Sequence, residues 1–440
     1  MTAERRRRIW GLALPIIGGM ASQNLLNLID TAMVGALGAP ALAAVGMVSF
    51  LHFLAVAALT ALSSAVQALA ARRMGEGQSA IAARPLNAGL LLSLTLGLPL
   101  TAVLYLGAPT LLGWVLDDPA AIAQGQPYLE ARALGVAFVG MNFSYRGFFA
   151  AVNQTRFYLR TLLIMHVVNV LLSYALIFGH WGLPELGTRG AGLGTALSII
   201  LGSLIYTATA LKHARPHGFM RARPHWEQFS SLLKLGLPSC IQQIFFAGGF
   251  VALFWIIGQV GTRELAVANV LINLSLVAIL PGMAFGIAAA SLVGQALGAQ
   301  QPESAHAWAW DVIRLSARIF GVMGIVCVLL PRPLLSLFLH EPALVDMGTI
   351  PLQLIGLGMV VDGGGLILMQ ALLGAGAART VMLVSVGFQW LLFLPAAYLV
   401  GPWLGGGLLA IWLAMTVYRG VQALVLLWIW QRRAWQSIRI

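Results

Sequence analysis

Apolar residues fill this chain in long runs, and its polar positions gather in short clusters between them. Breaks at charge, proline and glycine divide it into twelve apolar segments, near residues 9–36, 41–71, 85–108, 119–150, 156–178, 190–211, 229–257, 265–297, 303–331, 343–373, 378–400 and 405–431. Each is long enough for the roughly 20 residues that a helix needs to cross a bilayer. Several are longer, so they tilt or project beyond the hydrocarbon. Backbone in lipid must satisfy its own hydrogen bonds, so helices are predicted throughout. One long polar connection, KHARPHGFMRARPHWEQ at 212–228, divides the chain nearly in half.

The half after that connection repeats the half before it. Leu12-Ala-Leu-Pro15 matches Leu235-Gly-Leu-Pro238, Met33-Val-Gly35 matches Ile256-Ile-Gly258, and Gly75 matches Gly298, all at an offset of 223 residues. A register held from Leu12 to Gly75 without a gap is hard to reach by chance. Repeats of six helices share their parity and insert in the same orientation. The prediction is an all-α polytopic membrane protein with twelve transmembrane helices in two six-helix bundles, related by a pseudo-twofold axis along the membrane normal. The expected division is 1–212 for an N-terminal lobe, 213–228 for a cytoplasmic linker and 229–440 for a C-terminal lobe. Two such lobes rocking around a central cavity would make a transporter.

Composition narrows this further. Of 440 residues 59% are hydrophobic and only 9% charged, which excludes a soluble globular domain. The net charge of +12 sits in short loops and forms no basic helix face, so it reads as topology rather than as a nucleic-acid surface. Twenty Lys and Arg fall on one side, from Arg5–Arg8 to Arg432, Arg433 and Arg439, and four on the other, namely Arg132, Arg189, Arg263 and Arg332. That excess puts both termini in the cytoplasm of a bacterial inner membrane. The start, MTAERRRRIW, resembles a signal-peptide basic region, but the apolar run behind it is too long and lacks a cleavage site. Cys240 and Cys327 have no metal-ligand spacing and suggest no disulfide. No nucleotide loop or nucleophile–base pair stands at a useful spacing, so neither an enzyme nor a cofactor is expected.

The buried polar residues carry the chemistry. Asp30 lies inside the first span, where a carboxylate costs at least about 2.5–3.5 kcal/mol and marks a functional site by default. Gln23, Asn24, Asn27 and Thr31 surround it in sequence; Gln23, Asn27 and Asp30 share a helix face, as for a wet cavity. Its repeat mate is Leu253, so the acid is not part of the common scaffold. Asp362 stands mid-span beside Gly363–Gly365, which would suit an acid capping a break in the helix. His52 and His166 read first as hydrogen-bonded packing elements, and Arg146 as a snorkelling or paired cation. Met20, Met33, Met47, Phe50 and Trp255 would suit a soft, adaptable cavity wall.

The segments LALPII at 12–17, NLIDTAMVGALG at 27–38, ALAAVG at 41–46, YRGFFAAVNQTR at 145–156, NVLLSYALIFG at 169–179 and GAGLGTALS at 190–198 resemble the multidrug and toxic compound extrusion (MATE) transporters. So do GLPSCIQQ and LMQALLGAGAAR in the second half, and their order and spacing extend the resemblance over essentially the whole chain. The resemblance implies a V-shaped pair of bundles exporting organic cations against entry of protons or sodium. The N-lobe motif is similar to the DinF-like branch, which implies a cation-coupling set of Asp30, Asn27, Asn169, Ser173 and Thr195. That branch carries a second acid where Ser173 stands here. Asp30 is therefore expected to lack a partner acid and a neighbouring cation, which suits a proton better than a hard cation that needs several oxygens. Asp362 resembles the tenth-helix acid of a NorM-like sodium site, but the partner glutamate position is Phe246.

The reading is a secondary antiporter exporting amphipathic, mostly cationic drugs or toxic metabolites in exchange for protons or sodium, with the lipid bilayer as its surroundings and a monomer as its expected state. Asp362, Gln23, Asn24, Met33 and Gln242 are the candidates for substrate or a secondary ion. A lipid-linked saccharide flippase of the same superfamily is the alternative, but its cavity should be rich in Lys and Arg. A membrane-embedded enzyme would need a catalytic constellation, and none is seen.

Overall fold

The structure, a computed structural model, describes residues 2–116 and 118–438. Arg439, one of the cytoplasmic cations counted above, lies outside them. Secondary structure among the described residues is helical, without strands. The long helices are α1 (Ala3–Gly35), α2 (Ala39–Thr60), α3 (Leu62–Gly75), α4 (Arg84–Leu106), α5 (Pro119–Ala133), α6 (Val136–Ala151), α7 (Thr155–Phe178) and α8 (Gly187–His213). After the polar connection come α9 (Trp226–Val260), α10 (Thr262–Gly298), α11 (Pro302–Leu329) and α12 (Pro342–Gly374). The series closes with α13 (Ala378–Trp403) and α14 (Gly407–Gln431).

Among the described residues eleven helices are long and apolar enough to cross a membrane. The residues expected to form the span at 119–150 fold as two helices, α5 and α6, meeting at Leu134 and Gly135. Neither half reaches bilayer length alone. The break leaves carbonyls without helical partners, and Thr101 Oγ1 donates to one of them, Ala133 O, at 3.1 Å. Large apolar side chains point outward along these helices, among them Leu28, Leu106, Leu329, Leu357 and Leu391 at 69–80% exposure. In water such a surface would aggregate; against acyl chains it costs nothing.

The chain divides into two compact units. One is Leu14–Cys240; the other joins Met1–Ala13 to Ile241–Ile440. The divisions fall inside α1 and α9, beside Pro15 and Pro238, the prolines at equivalent repeat positions. The polar connection is not a free linker. Asn87 Nδ2 donates to Gly218 O at 3.1 Å and to Ala222 O at 2.9 Å, and Met220 N donates to Asn87 Oδ1 at 3.2 Å. One buried amide thus ties the connection to the first unit. The start of α1 belongs to the other unit, where Arg5 Nη1 pairs with the buried Asp311 at 2.5 Å beneath an Arg5–Trp308 cation–π contact.

Small residues set the closest helix approaches, as they do where lipid supplies no hydrophobic drive. In the first unit the run GAGLG at 190–194 faces α5 and α7. A Cβ on Gly192 would lie 2.6 Å from Tyr128 O, and one on Gly194 would lie 2.8 Å from Ser173 N. In the second unit α12 crosses α11 at Gly356, where a Cβ would meet Gly324 O at 2.6 Å. The expected break at Gly363–Gly365 does not occur: α12 runs unbroken from Pro342 to Gly374. Gly363 instead receives the Phe320 ring, which a side chain there would displace. Helix α13 does deviate, with π-helical turns at Phe388–Phe393 and Leu399–Trp403 on either side of Pro395. Proline has no N–H to give, so the turn before it widens.

Candidate functional site

Asp30 sits well into the second half of α1. Met33 and Val34, one turn further on, pack into a core shared with Val48 of α2 and with Tyr128 and Leu129 of α5. The face carrying Asp30 is therefore held against those helices by close-packed apolar contacts. The carboxylate itself is not satisfied. Its Oδ1 is buried and accepts no hydrogen bond among the described residues.

Helices α2 and α5, which share that core, also form a polar triangle that the sequence pattern did not reveal. Arg132, in the last turn of α5, donates through Nη1 to Tyr128 Oη and, at 3.2 Å, to Ser49 Oγ. The Ser49 and Tyr128 hydroxyls are themselves 3.2 Å apart. Among the described residues Arg132 makes no direct ion pair with an acid. His52, one turn beyond Ser49, is 3% exposed, and its Nδ1 is buried without a partner among the described residues. One expectation is corrected here: Arg132 stands in the last turn of α5, within the expected fourth span, rather than among the outer-loop charges. The missed signal was an arginine one helical turn after a tyrosine.

Asn169, Ser173, Thr195 and Ser198 do come together, at the crossing of α7 and α8. Ser173 Oγ donates to Asn169 Oδ1 at 3.1 Å, and Asn169 Nδ2 donates to Thr195 Oγ1 at 3.4 Å and Ser198 Oγ at 3.3 Å. Both ends of the amide are thereby occupied, and none of these groups hydrogen-bonds Asp30. They form an interhelical network among themselves.

The other α1 candidates make a third group. Gln23 Nε2 donates to Asn27 Oδ1 at 3.1 Å, and Gln23 Oε1 lies 3.1 Å from His166 Nε2. Ser22 Oγ lies 2.7 Å from His166 Nδ1. His166 is thus a hydrogen-bonded bridge between α7 and α1. Gln23, Asn24 and Asn27 are exposed, whereas Met33 is half-buried against the core.

In the second unit Asp362 is not the lone acid expected. Arg419 Nη1 of α14 donates to its Oδ2 at 3.2 Å, each side chain keeping 24% of its exposure. The pair borders a cavity of about 40 Å³ with Ser275, Phe320, Trp412 and Thr416, room for about two or three waters and no organic cation. Gln242 lies elsewhere, donating to Ser385 Oγ at 3.2 Å and Met369 Sδ at 3.3 Å. Phe246 is half-exposed and Leu253 buried, and neither supplies a second acid.

Two half-buried acids stand inside long apolar helices, Asp30 with an unpartnered oxygen and Asp362 paired with Arg419. The chain matches the MatE family over residues 15–175 and 238–399. It is 28% identical over 429 residues to the multidrug resistance protein NorM of Burkholderia vietnamiensis, covering 95% of this chain and 92% of that one. A probable NorM from Thermotoga maritima is 27% identical, covering 94% and 89%. A probable NorM from Brucella suis is 29% identical over 296 residues, and there the match covers 65% of this chain and 63% of the relative, less than two thirds of its length. Among solved structures, a MOP superfamily transporter from Pyrococcus furiosus superposes with a TM-score of 0.89 at 21% identity, covering 99% and 97%. A crystal structure of MATE in the straight conformation gives 0.89 at 22%, covering 98% and 97%. With both repeats matched, the chain belongs to the MatE family, the multidrug and toxic compound extrusion transporters.

Proposed function

We propose that this chain exports amphipathic, mostly cationic drugs or toxic metabolites across a bacterial inner membrane in exchange for protons, with Asp30 as the group that takes the proton. One observation carries the reading: Asp30 Oδ1 is buried in a membrane-spanning helix, and nothing among the described residues donates to it. A carboxylate with an open oxygen can accept a proton where it stands. A sodium ion asks for several more oxygens, and among the described residues Asp30 shares no hydrogen bond with another oxygen-bearing side chain. In this reading a proton from outside neutralises Asp30, the attraction for a cationic substrate falls, and the substrate leaves outward. Asn27, Gln23 and Asn24 extend the polar face toward the substrate, and both termini stand in the cytoplasm.

The NorM relatives carry multidrug resistance in their names, which supports the substrate class. The flippase alternative would require an excess of embedded cations. Here the embedded Arg419 is paired with Asp362. Efflux of a drug cation from proteoliposomes under an imposed pH gradient, with and without sodium, tests the reading. Export that follows the pH gradient in sodium-free buffer is expected. Export that requires sodium would overturn it.

A further inference from the structure

Helix α11 carries two acids and two arginines, and only the acids are paired within the protein. Glu303 meets Arg433 beyond the end of α14, and Asp311 meets Arg5 at the start of α1. Arg314 and Arg318 are exposed, and among the described residues neither makes a hydrogen bond or an ion pair. Every carboxylate on their own helix is thus already engaged.

Their depth makes this unusual. At 1.5 Å per residue, Arg314 stands about 18 Å and Arg318 about 24 Å along the axis from Pro302. The whole helix measures about 42 Å, against about 30 Å of hydrocarbon. Even if all the excess projects at the Pro302 end, both arginines start below the headgroups. They are four residues apart, so they share a helix face and repel one another. That face continues as Val322, Ile325 and Leu329, all exposed. Long helical side chains lean toward the helix N-terminus, which turns both guanidinia toward the polar end of α11.

A charge at such a depth is costly unless an anion meets it. The protein supplies none on this face, but the bilayer supplies phosphate. A guanidinium fork matches phosphate oxygens in both charge and geometry. A zwitterionic headgroup would bring a third cation to two that already repel; an anionic headgroup brings none. We propose that Arg314 and Arg318 form a binding site for one anionic phospholipid. Its phosphate lies between the two guanidinia, and an acyl chain runs along Val322, Ile325 and Leu329. The site is independent of the proton-antiport reading.

Native mass spectrometry of the full chain in detergent, titrated with phosphatidylglycerol or phosphatidylcholine of equal chain length, tests it. Wild type should bind its first phosphatidylglycerol at least about tenfold more tightly than its first phosphatidylcholine, since each arginine contributes about fivefold. The double variant Arg314→Gln, Arg318→Gln should bring the two lipids within about twofold. As a control, Arg221→Gln with Arg223→Gln removes two exposed arginines from the polar connection and should leave the preference intact. Should the first double variant fail to fold, Arg314→Gln and Arg318→Gln are read singly, each expected to lower the preference about fivefold. Wild type without a preference overturns the proposal. So do folded variants at 314 and 318 that keep it, and a control that loses it equally, which would make net charge the cause.

Discussion

Arg419 Nη1 and Asp362 Oδ2 lie 3.2 Å apart within the second unit, on helices α14 and α12. Removing one partner of a buried pair strands the other, at about 3–5 kcal/mol when burial is complete. Here both side chains keep 24% exposure, and water at the cavity screens them. Asp362→Asn and Arg419→Met should therefore each lower stability by about 1–3 kcal/mol. The combined Asp362→Leu, Arg419→Met variant should lose less than the sum, because neither charge is stranded. Thermal unfolding in detergent measures this. Additive losses would mean that the pair does not act as one.

The α7–α8 crossing makes a sharper stability test. Ser173 is 1% exposed, and a Cβ on Gly194 would lie 2.8 Å from Ser173 N and 2.9 Å from Ser173 Cα. Backbone atoms cannot rotate away, so Gly194→Ala must push the helices apart, at about 1–3 kcal/mol or more. Ser173→Ala loses only one hydrogen bond, to Asn169, at about 0.5–1.5 kcal/mol. Unfolding midpoints should fall in that order. Equal midpoints would contradict the close approach.

His166 uses both ring nitrogens, toward Ser22 and Gln23 of α1. Such bonds between membrane helices are worth about 0.6 kcal/mol on average and about 1.7 at most. A double-mutant cycle with His166→Phe and Gln23→Ala should return a coupling in that range. Coupling near zero would mean that the bridge contributes nothing to holding α1 against α7.

Much of this architecture was legible in the sequence because the bilayer leaves few choices. Long apolar runs had to be helices, and the Pro15–Pro238 register was enough to place the repeats. What stayed hidden depended on contacts between distant segments. Arg419 stood in a span as plainly as Asp362, but nothing in a single chain says that α14 lies beside α12. Gly363–Gly365 looked like a helix break, whereas Gly363 makes room for Phe320. Arg132 was readable in principle, since it falls within the 119–150 segment. Its placement at a break between two short helices disguised it as a loop residue. The roles of Asn169 and Thr195 came by resemblance, and their partners turned out to be one another rather than Asp30.

If Asp30 carries the exchanged proton, as the proposed mechanism requires, its replacement should silence proton exchange without unfolding the protein. Asp30→Asn is nearly isosteric, cannot exchange a proton, and breaks no direct ion pair, so the variant should fold. Proton release on addition of a drug cation, followed with a pH indicator in weakly buffered detergent solution, compares wild type, Asp30→Asn and Asp362→Asn directly. The expected result is release from wild type and from Asp362→Asn, and none from Asp30→Asn. Release that survives Asp30→Asn and vanishes in Asp362→Asn would place the coupling in the other unit and contradict the account.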